Sequence, residues 1–154
     1  MKKYIIIVSE KFPAYHKKTG QPTNFIESIK SYDKIHTIRG SYNLWKKRFE
    51  QIDAGKAYLS IRIWTGKPYA SKQIEIFKYD KTHKISIQKF EIFNSILYGP
   101  SIFIDDVKHP YSLLANIAKN DGLRFLDFVA WFKGKLETTP NNPLAIIHFT
   151  PFKY

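Results

Sequence analysis

An alternating segment followed by a turn and a second strand-like segment constrains the fold more than any other feature. In Ala57 to Trp64, the side chains of Ala57, Leu59, Ile61 and Ile63 fall on one face and polar or amphipathic side chains on the other. Thr65-Gly66-Lys67-Pro68 has turn composition, and Gln73 to Tyr79 again has strand composition. This pattern predicts an antiparallel hairpin with one buried face, on which the remaining elements must pack.

Other periodic segments lie before and after this hairpin. We predict strands at 4–8, 35–39, 85–92, 102–104 and 144–149, and helices at about 24–31, 43–54, 110–119 and 126–133. Asn24 and Glu27 have the spacing of a capping box, and Gly55 is placed to end the second helix. Residues 138–143 read as a loop. Strands separated by turns, with helices inserted, predict an α+β fold in which helices cover the openings of a small mixed β-barrel. The 154 residues are expected to form a single domain.

The chain is strongly basic and contains no cysteine. Its formal charge is +12, and residues 34–81 hold 11 Lys/Arg against 4 Asp/Glu. Such an excess favours polyanionic partners such as RNA or an anionic surface, although a solvated surface that maintains solubility has the same composition. The lack of cysteine excludes disulfides, thiol nucleophiles and iron–sulfur clusters. The apolar run at 4–8 is too short for a signal peptide or a membrane span, so we expect a cytoplasmic protein with no membrane partner.

A short segment at 34–40 concentrates functional side chains. Lys34, Thr37 and Arg39 fall within six residues at the start of a predicted strand. They suggest the floor of a pocket for a nucleotide or modified base. Residues three apart on a regular strand face opposite sides, so Lys34 and Thr37 can converge only if Lys34 precedes the strand or a bulge intervenes. Ordinary surface charges and a strand threonine would give the same pattern.

Two further groups could contact a nucleic acid. Trp64, Lys67, Tyr69 and Lys72 surround the predicted hairpin turn, where aromatic rings could stack on bases and lysines could contact phosphates. Lys46, Lys47 and Arg48 form a second basic strip on the preceding helix. Trp45, Phe49 and Trp131 are interpreted as packing residues. The five histidines are scattered without paired ligand spacing, so we predict no metal and no cofactor.

Two motifs resemble the ASCH domains of the PUA-like superfamily. Phe25 to Ile29 followed by Lys34-Ile35-His36-Thr37-Ile38-Arg39 is similar to their short helix and their lysine–x–x–threonine–x–arginine signature. Ala118 to Leu123 followed by Asp127-Phe128-Val129 resembles a helix, an acidic–Gly–apolar turn and a second helix late in those domains. The closing Ile146 to Phe149 resembles their last strand. Residues at about 41–55 would then be a helical insertion.

The resemblance implies a cleft between barrel and helices that binds RNA or a modified base. Some small members of the family are amidohydrolases that deacylate acetylated cytidine with a lysine, a threonine and a glutamate. Carried over by motif, these catalytic positions fall on Lys34, Thr37 and Asp121, where Asp replaces the longer Glu. Thr37 would be the nucleophile, Lys34 the base and Asp121 a relay, with Arg39 beside an oxyanion or phosphate.

Three functional hypotheses follow. The first is a domain that binds RNA or a modified nucleotide in a basic cleft lined by Lys34, Thr37, Arg39 and Asp121. The second is an amidohydrolase of an acylated cytidine in the same cleft. The third is a basic accessory protein that docks on an acidic protein partner. The oligomeric state is left open.

Overall fold

The computed structural model describes residues 1–136 and 142–154, so residues 138–141 of the expected 138–143 loop lie outside the described residues. The elements in chain order are β1 (Lys2–Ile7), α1 (Phe25–Lys30), β2 (His36–Arg39), α2 (Tyr42–Asp53), β3 (Ala57–Trp64), β4 (Gln73–Tyr79), β5 (Ser86–Ser95), β6 (Gly99–Ile104), β7 (Val107–His109), α3 (Leu113–Asn120), α4 (Phe125–Phe132) and β8 (Leu144–His148). The α+β class is therefore confirmed.

The strands form two sheets and not the closed barrel that was predicted. One sheet has the order β1-β3-β4, with β1 parallel to β3, and the other has the order β2-β8-β5-β6-β7. Closure requires a hydrogen-bonded ladder at every strand edge. Across residues 1–136 and 142–154, no ladder joins β1 to β2. The Arg39 side chain instead crosses from β2 and donates from Nη2 to the Ile7 carbonyl at 2.8 Å. We call this gap between β1 and β2 the seam.

The hairpin predicted from the alternating segment is confirmed. β3 and β4 have the predicted bounds and pair antiparallel, with Trp64 opposite Gln73 and Leu59 opposite Tyr79. A register shift lies between Ile61 and Arg62. Leu59 and Ile61 are fully buried, as period-two alternation requires when one face covers a core.

Helix α2 was also predicted correctly from its apolar stripe. Trp45, Phe49 and Ile52 are buried, and the helix packs against β3, β5 and β8. Gly55 follows the helix with φ +70°, a conformation that glycine adopts without steric cost. Whether the α2 segment is an insertion stays a prediction.

Two local predictions were wrong. Asn24 does not cap α1: it has φ 59° and its side chain makes no capping hydrogen bond, because a left-handed residue does not direct its side chain at the first helical N–H groups. Strand β7 was not predicted, since Asp105 and Asp106 at positive φ form a tight turn that lacks glycine. Within the described part of the chain, no helix is long and apolar enough to cross a membrane.

Candidate ligand-binding site

A cavity of about 430 Å³ lies at the seam between the two sheets. Its polar lining contains the four residues of the predicted cleft: Lys34, Thr37, Arg39 and Asp121. Its remaining lining is mostly apolar and aromatic, from Ile5, Ile6, Ile7, Val8, Ser9, Phe25, Trp45, Trp64, Pro68, Tyr69, Trp131 and Phe132. The structure thus brings together side chains that are distant in sequence, in a space of the size that small-molecule sites usually have.

Lys34 and Asp121 form a buried ion pair in this cavity. The Lys34 Nζ donates to Asp121 Oδ1 at 2.8 Å and to the Asp121 carbonyl oxygen at 2.7 Å. It also lies 4.3 Å from the centroid of the Phe25 ring, where a cation interacts favourably with the π face. Lys34 is only 3% exposed and Asp121 only 4% exposed, so each charge depends on the other for compensation.

The pKa values of both members of the pair are lowered. Burial lowers the pKa of Lys34, and the neighbouring Asp121 carboxylate opposes this effect. Burial by itself would raise the pKa of Asp121, but the positive charge of Lys34 and the contact with His36 together lower it. The carboxylate is therefore ionised at neutral pH, while the ammonium group gives up its proton more readily than an ordinary lysine.

Lys34 reaches the cavity because it precedes β2. A single antiparallel bridge pairs Lys34 with Asp121, and the Ile35 N–H donates to the Asn120 carbonyl at 2.9 Å. Gly122 follows at φ +81°, and a Cβ there would lie 3.1 Å from the Lys34 Cβ. Strand β2 therefore begins after Lys34, which was the first of the two predicted ways in which Lys34 and Thr37 could face the same side.

Arg39 and Thr37 form the second polar group of the cavity. The Arg39 Nη1 donates to Thr37 Oγ1 at 2.8 Å and to the Ile38 carbonyl at 2.9 Å. With the Nη2 bond to Ile7, three of the five guanidinium N–H groups have acceptors, which leaves two without one among the described residues. Arg39 forms no ion pair with any described carboxylate, and burial lowers its pKa. The half-buried Arg39 guanidinium therefore has two N–H groups that can donate to a ligand.

A second layer of polar side chains lies behind Asp121. The Asn120 Nδ2 donates to the Tyr154 hydroxyl at 2.9 Å, so the hydroxyl directs its own proton to His36 Nε2, 2.7 Å away. The proton of the neutral His36 ring then lies on Nδ1, which is 3.6 Å from Asp121 Oδ1. Burial lowers the pKa of His36, although Asp121 opposes this effect. Within the described residues this Nδ1 has no hydrogen-bond partner, so the His36 ring lies beside the carboxylate without a hydrogen bond to it.

Aromatic residues form the outer part of the cavity. The Trp64 and Tyr69 rings lie 5.4 Å apart at the mouth, and Tyr69 is 92% exposed. Tyr69 has φ 62°, which is unfavourable for a bulky residue and is found where a site holds the backbone in place. Trp45 and Trp131 line the interior, so two residues interpreted as packing residues also face the cavity.

The other predicted contact residues lie away from this cavity. Lys67 lines an adjacent hollow that shares Trp64 and Pro68 with it, and Lys72 is exposed. Lys46 and Lys47 point to solvent from α2, whereas the Arg48 guanidinium lies 4.4 Å over the Trp45 ring and 5.4 Å from Tyr4. A role for these five residues in nucleic-acid contact stays a prediction.

Several site residues were not identified from the sequence. Phe25 and Phe132 were not selected as site residues, yet both line the cavity. Tyr154 and Asn120 carried no signal at all, because their contact with His36 depends on tertiary structure. His36 could have been singled out, since a histidine inside an apolar strand needs a buried polar partner.

No group of three or more metal-ligating side chains converges within residues 1–136 and 142–154. Comparison with protein-family models, with curated proteins and with solved structures gave no match.

Proposed function

We propose that the seam cavity binds a planar, nucleobase-like ligand that presents an anionic or carbonyl oxygen to Arg39. The observation that carries this proposal is the half-buried guanidinium with two N–H groups that have no acceptor in the described part of the chain. The unpartnered Arg39 Nε is not among the fully buried side-chain atoms of the described residues, so it is open to the cavity, where an oxygen of a ligand can replace water and accept a charge-assisted hydrogen bond.

The charge balance of the cavity supports the same ligand class. Lys34 and Asp121 neutralise one another, whereas Arg39 adds a positive charge that forms no ion pair with a described carboxylate. In a poorly solvated space, this excess favours a ligand with negative charge or a strong carbonyl dipole.

The aromatic walls support a flat ligand. Trp45, Trp64 and Trp131 line the cavity, and aromatic side chains stack favourably on bases of any sequence. The volume of about 430 Å³ suits a nucleoside better than a folded peptide segment. The ASCH-like motifs predict the same class of ligand, and membership of that family stays a proposal.

Fluorescence titration tests this proposal, because the three tryptophans of the cavity lining report on stacking. Cytidine, uridine and N4-acetylcytidine serve as probes, each also as its 5′-monophosphate. We expect Arg39→Lys, which keeps the charge but removes the fork of donors, to weaken binding by about tenfold or more. The exposed Lys3→Ala variant is the control. Absence of binding to every probe, or equal affinity in Arg39→Lys and wild type, would overturn the proposal.

A second candidate function is amide hydrolysis of an acylated cytidine. It is favoured by the convergence of Lys34, Thr37 and Asp121 on one cavity and by the lowered pKa of Lys34. One contact disfavours it. The Thr37 hydroxyl accepts a hydrogen bond from Arg39, and the structure has no hydrogen bond between it and Lys34 Nζ that would activate it as a nucleophile.

Turnover of N4-acetylcytidine separates binding from catalysis. If the cavity is catalytic, wild type releases acetate and Thr37→Val, which keeps the shape but lacks the hydroxyl, does not. If wild type binds N4-acetylcytidine but releases no acetate, the binding function is supported and the hydrolase function is excluded for this substrate.

A further inference from the structure

A second groove lies on the surface between the end of α1, strand β4 and the residues that follow β8, and it shares no lining residue with the seam cavity. Its volume is about 730 Å³, and its lining includes Lys30, Tyr32, Phe77, Tyr79, Lys84 and Phe149, which we call the aromatic groove. We propose that the aromatic groove binds a segment of single-stranded nucleic acid, with bases stacked on the rings and phosphates beside the lysines.

The rings of the aromatic groove form a pre-arranged platform. Tyr79 and Phe149 are nearly parallel, at 7° between planes and 5.7 Å between centroids, and Phe77 lies at 19° to Tyr79. Phe149 is only 8% exposed and belongs to the core, so it supports Tyr79 from behind, and the His83 ring contacts Tyr79 edge-on at 5.4 Å. The accessible ring surface is therefore that of the partly buried Phe77 and Tyr79, on which a planar group can stack. Every base has a π face, and single strands expose it whereas duplexes do not.

Tyr32 is a second, independent indication. It follows α1 with φ 62°, and its side chain is 73% exposed, so packing does not explain the tyrosine. Positive φ alone does not distinguish Tyr32, because six other non-glycine residues of the described part of the chain share it. The distinguishing feature is a large aromatic side chain that lines the groove and remains mostly exposed to a ligand.

The charge of the aromatic groove fits a polyanion. Lys30 and Lys84 are its charged lining residues, and none of the described lining residues is acidic. Two carboxylates lie close by. Glu27 approaches Lys30 at 3.6 Å in an exposed pair, which water screens strongly, and Asp80 binds His83 at 3.0 Å. Lys84 has no ion pair with any described residue, so its charge is available to a phosphate.

The aromatic groove and the seam cavity lie at opposite ends of the β3–β4 hairpin. Trp64 lines the cavity at one end of β3, and Leu59 pairs with Tyr79 at the other end. Five residue steps along β3 span about 17 Å. The two sites are closer through α1, because Tyr32 of the groove precedes Lys34 of the cavity by two residues. Nucleoside binding is therefore measured for every groove variant as well.

Fluorescence anisotropy with a labelled 12-nucleotide RNA of mixed sequence tests the proposal. We expect Tyr32→Gly to weaken binding by about fivefold or more without loss of stability in urea, and Tyr32→Phe to restore it. The Lys30→Ala/Lys84→Ala double variant should lower the slope of log affinity against log salt by about 1.4, at about 0.7 for each phosphate that a lysine no longer neutralises. Lys3→Ala/Lys108→Ala, exposed lysines outside the groove, is the matched control.

Three outcomes would overturn the proposal: no binding of the RNA by wild type, an equal reduction of affinity in the control pair, or equal affinity for the corresponding 12-base-pair duplex. Cytidine binding in the seam cavity should be unchanged in the groove variants. Nucleoside binding by wild type without RNA binding would overturn only the aromatic groove, and RNA binding without nucleoside binding would overturn only the seam cavity as the nucleoside site.

Discussion

The Lys34–Asp121 ion pair should behave as one energetic unit, which a double-mutant cycle can measure. Lys34→Met keeps most of the side-chain volume but removes both hydrogen bonds of Nζ, at 2.8 and 2.7 Å, and leaves a carboxylate that is 4% exposed. The nearest group able to compensate is His36 Nδ1 at 3.6 Å. An uncompensated buried charge of this kind costs about 3–5 kcal/mol of unfolding free energy.

Asp121→Asn should cost less, about 2–3 kcal/mol. The amide oxygen and the Asp121 carbonyl can both still accept from Lys34, and a lysine whose pKa burial has lowered can lose its proton. The double variant holds no buried charge, so its cost should be about 2–3 kcal/mol, well below the sum of the single effects. With the middle of each range, the interaction energy is then about 4 kcal/mol.

Urea unfolding followed by tryptophan fluorescence at pH 7 gives the four free energies, with unchanged m values as the check on two-state behaviour. Lys3 is exposed and does not line the cavity, so Lys3→Ala on the Asp121→Asn background serves as a control that should be close to additive. Costs of Lys34→Met and Asp121→Asn that add within about 0.5 kcal/mol would refute the reasoning.

Three further predictions concern single residues. Gly122→Ala should destabilise by about 1–3 kcal/mol, because φ is +81° and the new Cβ would meet the Lys34 Cβ at 3.1 Å; a destabilisation below about 0.5 kcal/mol in urea unfolding would contradict this. Burial lowers the pKa of His148 to about 3. Between about pH 6.5 and 3 the unfolded chain therefore binds more protons than the folded chain. The free energy of unfolding should fall by at most about 4 kcal/mol as pH decreases through that window. A His148→Gln variant should show a flatter pH profile, and an unchanged profile would exclude His148 as the source. Asn24→Gly should raise the free energy of unfolding by up to about 0.5 kcal/mol, since residue 24 has φ 59° and makes no cap bond; a decrease in urea unfolding would show that Asn24 has a role not apparent in its contacts.

Elements with a strong period were predictable from the sequence, and closure of the sheets was not. The β3–β4 hairpin and the stripe of Trp45, Phe49 and Ile52 on α2 were predicted because local spacing alone decides which face is buried. A barrel and two separate sheets use the same strands, and only long-range pairing distinguishes them. The five-stranded sheet joins β2 to β8, more than a hundred residues apart, which no local pattern records.

In the candidate site, too, local sequence identified some residues, whereas others depend on tertiary structure. Lys34, Thr37 and Arg39 were selected because they are close in sequence, and Asp121 through a motif resemblance. Their convergence on one cavity depends on the bridge that pairs Lys34 with Asp121. Tyr154 could not have been foreseen, because its hydroxyl meets His36 across most of the chain length. Two lysines, Lys67 and Lys72, were selected because they lie with aromatic residues around the hairpin turn, and Lys46, Lys47 and Arg48 because they form a basic strip on one helix. Neither criterion determines which cavity a side chain lines.

The seam also has a consequence for how the molecule opens. A backbone ladder transmits local opening from strand to strand, whereas β1 and β2 are joined at Ile7 by one arginine side chain. Helix α2 packs against both sheets and one hydrophobic core joins them, so the expected event is local opening at the seam, at a lower free energy than global unfolding. A ligand that takes the remaining Arg39 donors would hold β1 and β2 together, so its binding should slow exchange at Ile7 and at Thr37 in parallel.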